Sequence, residues 1–193
     1  MLKLFTESLG AFLTSALADM EERPVVSFVL PGAVAGKNAL SLFLSSMVEN
    51  TDLRSSEVKY AQSEYGAVAI RPPIRLKCNY VVSVWPVSDN LVEAAFVQMR
   101  LLSAAYSVLS SVNTLPQAFI PEIIKSQDIP KPVIAISKDD LHNRPEFWTS
   151  SGCMYHPAFS LSATIALPIA EEHYEHIVKG VKTDYKINQK QRN

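Results

Sequence analysis

The chain of 193 residues is 48% hydrophobic, enough for one sizeable buried core. Its 18 Lys and Arg stand against 19 Asp and Glu, a formal net charge of −1. That balance speaks against a nucleic acid or an anionic membrane as the main partner. Two cysteines, Cys78 and Cys153, are too few for a secreted disulfide scaffold and are expected to be thiols in a reducing cytoplasm.

The N-terminal MLKLFTESLGAFLTSALADMEER is interrupted by Thr6, Glu7, Ser8, Thr14 and Ser15, unlike the core of a signal peptide. Leu2, Phe5, Leu9, Phe12, Leu13, Ala16, Leu17 and Met20 form a helical stripe, predicting a helix that ends near Arg23-Pro24. No run reaches the ~20 apolar residues of a membrane-spanning helix. Val25 to Leu30 reads as a buried strand closed by Pro31-Gly32. The next segment, NALSLFLSSMVEN, fits a helix through Leu40, Phe43, Leu44, Met47 and Val48, and a strand through Leu40, Leu42, Leu44 and Val48. Periodicity leaves both open.

Glu57 to Ile70 predicts one strand broken by Gly66. Arg71 to Pro86, RPPIRLKCNYVVSVWP, is a strand fenced by prolines. One parity carries Ile74, Leu76, Cys78, Tyr80, Val82 and Val84, and the other Arg75, Lys77, Asn79, Val81, Ser83 and Trp85. Asn90 with Glu93 three residues later marks a helix start, with Ser88 and Asp89 as rival caps. Val92, Ala95, Phe96, Met99, Leu102, Tyr106 and Leu109 are its expected apolar face. After the proline-punctuated stretch Pro116 to Pro132 come a strand at Val133 to Ile136 and a short helix within Ser137 to Ser150. A half-exposed strand follows from Ala158, alternating Phe159, Leu161, Ala163, Ile165 and Leu167 with polar or small residues. Residues 171–193 read as a polar, basic tail carrying Lys179, Lys182 and Lys186.

Three motifs suggest chemistry and each falls short. PGAVAGKNALS has three residues between Gly32 and Gly36 where a phosphate loop needs four, and Asn38 where it needs a hydroxyl after Lys37. EEHYEH places His173 and His176 one helical turn apart but supplies too few ligands for zinc. Cys153 precedes His156 by three residues with no orienting third group or oxyanion site in view. His142 and His156 read as ordinary surface or loop residues. No catalytic, metal or cofactor residue is therefore expected. The polar parity of the Arg71–Pro86 strand is more informative. Arg75, Lys77 and Trp85 form either a solvated sheet face with one apolar patch or a subunit interface, an aromatic beside arginine being a common anchor composition.

Several stretches in order resemble one family, the tail-terminator or cap proteins of extracellular contractile injection systems. They are ALSLFLSSMVENTDLR, with Glu49-Asn50 and Leu53-Arg54, then Arg71-Pro72-Pro73 leading into the strand with Tyr80, and the helix after Trp85. Phe147-Trp148, Pro157 and FSLSATIALPI close the set, which covers roughly residues 1–170. The resemblance implies that Ala39 to Val48 is a strand. It also implies an α+β domain over 1–170, a mixed sheet packed by the N-terminal and the long central helix. It carries no catalytic residue, metal or cofactor. The implied role is a homo-oligomeric ring, expected to be a hexamer, that ends sheath and tube polymerisation. Such a protein would assemble in the cytoplasm with sheath and tube subunits and then be part of the particle. The alternative is a small non-enzymatic adaptor or ligand-binding module. Lys179, Lys182 and Lys186 are candidates for contact with an acidic partner surface.

Overall fold

A computed structural model describes residues 1–30, 36–63, 66–125, 132–138, 141–169 and 173–175. The chain divides into two compact units. The larger is built from Met1–Arg54 and Pro73–Pro168.

Its centre is a five-stranded mixed sheet of β1 (Val25–Ser27), β2 (Ala39–Glu49), β5 (Ile74–Trp85), β6 (Val133–Ile136) and β7 (Ala158–Leu167), ordered β1-β2-β5-β7-β6. β1 runs parallel to β2 and every other pairing is antiparallel. The alternating residues of β5 and β7 set the register, with Cys78 beside Ala163, Tyr80 beside Leu161 and Val82 beside Phe159. On the other side of β5, Leu40, Leu42 and Leu44 face Val84, Val82 and Tyr80. A bulge between Leu44 and Ser46 then shifts the register so that Met47 meets Cys78. That extra residue explains the mixed periodicity of the segment: the bulge puts Leu44 and Met47 in register with Tyr80 and Cys78 of one parity although they are three residues apart, Leu44 packing on the core and Met47 remaining 51% exposed.

One face of this sheet is covered by α1 (Leu2–Ala16) and α2 (Leu91–Ser110). α1 buries Phe5, Leu9, Phe12 and Leu13, with Leu17 buried just beyond its end. The helix stops well before Arg23-Pro24. Residues 17–22 turn instead, with Met20 N–H donating to the Leu17 carbonyl, and bring Val25 beside Ala39. The Thr6 and Tyr80 hydroxyls lie 2.9 Å apart and tie α1 to β5. Burial pushes the Tyr80 phenol up to about 12 and the Cys78 thiol up to about 11, so both stay neutral at physiological pH.

Asn90 caps α2, its side chain accepting from Val92 N–H at 2.9 Å and Glu93 N–H at 3.3 Å. Ser88 instead donates to the Glu93 carboxylate. The buried face of α2 is Val97, Leu101, Ala105 and Leu109. Of the expected apolar face only Leu109 is fully buried, whereas Val92, Phe96, Met99 and Tyr106 are exposed. α2 is apolar on two opposite sides, and the sheet takes the side with the smaller residues.

The short helix expected within Ser137–Ser150 is a 3₁₀ turn at Leu141–Asn143 followed by α4 (Pro145–Ser150). A four-residue α3 (Glu122–Lys125) buries Ile124 in the proline-punctuated connection.

The second unit draws on Ser55–Pro72 and the chain after Pro168. Its described strands are β3 (Lys59–Ser63), β4 (Gly66–Ile70) and β8 (His173–Glu175), antiparallel in the order β3-β4-β8. The single strand expected over Glu57–Ile70 is therefore a hairpin. Gly66 begins its second arm rather than interrupting one strand.

Candidate interaction surfaces

The polar parity of β5 divides into two halves. At one end, Arg75 and Lys77 are half-buried and make no ion pair among the described residues. Lys77 lies between Val48 and Thr164, and Arg75 beside Ala166. Asn79 follows, 8% exposed, its amide nitrogen donating to Ser46 Oγ at 3.0 Å while its Oδ1 is buried without a partner. These residues sit in a field of hydroxyls, Ser46, Ser162 and Thr164, that the strand pairing places alongside.

The other half is covered. Val81 is fully buried, so the exposed apolar patch expected from Val81 and Trp85 does not form. α4 and the loop after it lie over this half of the face. Trp85 stacks on His156 with ring centroids 4.0 Å apart and planes within 8°. It also contacts Trp148, which in turn meets Phe147 and Tyr155. Phe43 of β2 completes the cluster against Phe147. Trp148 Nε1 donates to the His142 carbonyl at 2.6 Å, and His142 Nδ1 lies 3.0 Å from Ser160 Oγ. His142 and His156 are thus half-buried packing residues, not surface ones. The signal available in the sequence was four aromatics, Phe147, Trp148, Tyr155 and His156, within ten residues.

His156 Nε2 is buried and has no hydrogen-bond partner, and burial lowers the imidazole pKa. The Cys153 thiol donates toward the Ser151 carbonyl at 3.5 Å and lines a cleft of about 510 Å³ with Pro145, Trp148 and Tyr155. Because the folded protein favours neutral His156, stability is full above the unfolded pKa near ~6.5 and falls as pH drops below it. The thermal midpoint is expected to decline between about pH 7 and pH 5, and His156→Phe, which keeps an aromatic ring on Trp85, should flatten that decline. Melting curves across pH for the two proteins check this. Parallel declines would remove His156 as the cause.

Other motif residues are dispersed. Gly36 has φ +70° and Lys37 is exposed, but they lead into strand β2, so no helix N-terminus is available to receive a phosphate. Gly32 lies outside the described residues. His173 belongs to β8 rather than a helix, and His176 lies outside the described residues, as do Lys179, Lys182 and Lys186. Among the described residues, no cluster of three His, Cys, Asp or Glu could hold a metal ion, and no helix is long and apolar enough to cross a membrane.

Among the described residues, exposed apolar side chains gather on the outward side of α2, with Val92, Phe96 and Met99, while Tyr106, half exposed, packs edge-on against Phe159 with ring centroids 5.2 Å apart. A second group is Val25, Phe28, Val29 and Leu30 at the β1 edge. Phe28 lies over Gly10 of α1, where a Cβ would come within 2.4 Å of its ring.

A mixed sheet with the two long helices on one face and a small aromatic lid on the other defines an α+β fold. The chain belongs to the Pvc16 N-terminal domain family, whose model matches residues 5–177. Among solved structures it is similar to the PVC sheath/tube terminator of an extracellular contractile injection system in the extended state, with a TM-score of 0.67 and 20% identity. The match covers 97% of this chain and 64% of that one. It is also similar to the tube-terminating cap of the anti-feeding prophage, with a TM-score of 0.66 and 19% identity over 94% of this chain and 60% of that one. The chain thus spans less than two thirds of the length of both. No curated protein matches it.

Proposed function

We propose that this protein is a structural terminator, a cap that closes the end of the sheath and tube of a contractile injection particle and stops their growth. The observation that carries this is the fold shared with two terminating caps along nearly the whole of this chain. A polymer whose subunits add end to end by heterologous contacts has no intrinsic stopping point. A bound subunit that matches the last layer on one side and differs on the other removes the open site. That task needs complementary surfaces and no bond-making chemistry, so the protein acts without catalysis, metal or cofactor.

In this reading the protein assembles in the cytoplasm, remains in the finished particle and works as a homo-oligomeric ring, a hexamer matching the tube's symmetry. Its partners are sheath and tube subunits. Arg75, Lys77 and Trp85 of β5, with Lys179, Lys182 and Lys186, are the proposed contacts, Trp85 acting through the aromatic cluster it supports.

Deleting the chain is expected to yield sheath–tube assemblies that are unstable or abnormal in length, and adding it back should restore normal ends. Electron micrographs of particle length distributions check this. Unchanged lengths and intact ends without the protein would refute the terminator role.

A further inference from the structure

The strand pairing lays out the polar half of the β5 face as a lattice of side chains. Across one row Ser46, Asn79 and Ser162 stand side by side, and across the next Val48, Lys77, Thr164 and Val133. Arg75 lies one row further on, beside Ala166. Directly paired residues of neighbouring strands share a face, so these side chains project to the side away from α1 and α2. α4 and the loop after it cover the Trp85 end of that side and leave Lys77, Ser162 and Thr164 part-exposed at the other.

This lattice holds two cations and no anion. Arg75 and Lys77 are two residues apart on one strand face, about 7 Å between Cα atoms, and repel one another. Glu49 is the one acidic residue in the five strands of the sheet. It pairs with Leu76, of the opposite parity, and lies 3.7 Å from Arg54. Arg75 and Lys77 are both half-buried, yet neither makes an ion pair among the described residues. A cation that has lost part of its hydration gains most from an opposite charge that completes its contacts.

Asn79 is a second and independent sign that the face is unfinished. It is 8% exposed, and its Oδ1 is closed to solvent with no donor among the described residues. Buried polar atoms are nearly always paired, and an acceptor left alone costs stability. The cations call for a negatively charged acceptor, and Oδ1 calls for an N–H or O–H. A bare anion such as phosphate answers only the first need. A protein segment that carries both a carboxylate and amide groups answers both.

We infer that the Arg75 end of this face docks an acidic segment of the protein subunit that the chain caps, with an Asp or Glu carboxylate seated between Arg75 and Lys77 and an N–H of the same segment turned to Asn79 Oδ1. The planar Arg75 guanidinium can hold a carboxylate through two parallel hydrogen bonds, and Lys77 adds a point charge from the other side. The donor reaches Oδ1 as the side chains around it adjust to the occupant. Val48 and Val133, both exposed, flank the Lys77 row and offer the occupant apolar contact. The assignment rests on the terminator reading above and gives one of its contacts a chemistry.

The test measures binding of the full chain to sheath–tube particles assembled without it, by co-sedimentation across protein concentrations. Arg75→Gln with Lys77→Gln removes the charges, and Arg75→Glu with Lys77→Glu reverses them. Melting of the neutral pair should match the wild type; Arg75→Met with Lys77→Met, which keeps the apolar stems, serves if it does not. The half-saturating concentration is expected to rise about 10-fold for the neutral pair and at least about 100-fold for the reversed pair. Between about 0.05 and 0.5 M NaCl the wild type should weaken more steeply than the neutral pair, because the charges that salt screens are then gone. Lys3→Glu with Lys37→Glu, exposed cations outside the lattice, should bind like the wild type. A neutral pair that binds as the wild type does, or a control that loses as much as the reversed pair, overturns this assignment and leaves the terminator reading standing. Displacement by inorganic phosphate beyond that of NaCl at equal ionic strength overturns the carboxylate as the occupant. A wild type that does not bind the particle ends overturns the terminator reading as well.

Discussion

Trp148→Ala is expected to lower the stability of the larger unit by about 3–5 kcal/mol, the range for removing a buried tryptophan. Trp148 is 1% exposed although it sits on a six-residue helix, too short to be stable by itself. The helix is held instead by its side chain, which packs on Trp85, Phe147 and Tyr155, and by the Nε1 bond to the His142 carbonyl. Truncation leaves a cavity beneath α4 and strands that carbonyl. Trp148→Phe would keep most of the ring contact and lose only the hydrogen bond, for a smaller loss of about 1–2 kcal/mol. Urea unfolding followed by tryptophan fluorescence, with Trp85 as the remaining reporter, measures both. If the alanine variant unfolded within about 0.5 kcal/mol of the wild type, the lid would not stabilise the sheet face.

A contrast between two positions on α2 carries the second large effect. Leu101→Asp places a carboxylate at a fully buried site against the sheet and is expected to cost more than about 4 kcal/mol, leaving little folded protein. Phe96→Asp, five residues earlier on the opposite side, should change stability by no more than about 0.5 kcal/mol. Thermal melts of the two variants separate the roles. Comparable destabilisation by both would mean that the outward side of α2 packs within the monomer.

Local rules made much of this molecule legible. The proline fences and strict alternation specify β5, and the alternation of β7 matches it. Asn90 and Glu93 mark the start of α2, because a cap satisfies N–H groups only a few residues away. The apolar spacing of α1 named Phe5, Leu9, Phe12, Leu13 and Leu17 among its buried residues. The family likeness, resting on ordered short stretches, agreed with the matched domain model and with the strand at Ala39–Glu49. In each case the determining contacts lie within a turn or along one strand.

What lay beyond the sequence was decided by contacts between segments far apart in the chain. Both sides of α2 satisfy the helical period, so periodicity cannot tell which is buried; packing on β5 and β6 chooses Val97, Leu101, Ala105 and Leu109. The parity of β5 separates Arg75, Lys77 and Trp85 from the core face. It carries no information about the lid that Trp148 and His156 bring from 63 and 71 residues further along the chain to cover one half of that parity. The bulge in β2 exists only in register with β5, and the Gly66 hairpin only through its pairing. Side-chain period is a property of one segment, whereas burial is a property of whichever segment comes to lie against it. The sequence could therefore specify the elements and their two-faced character, and tertiary packing alone determined which apolar faces were consumed by the core and which stay exposed.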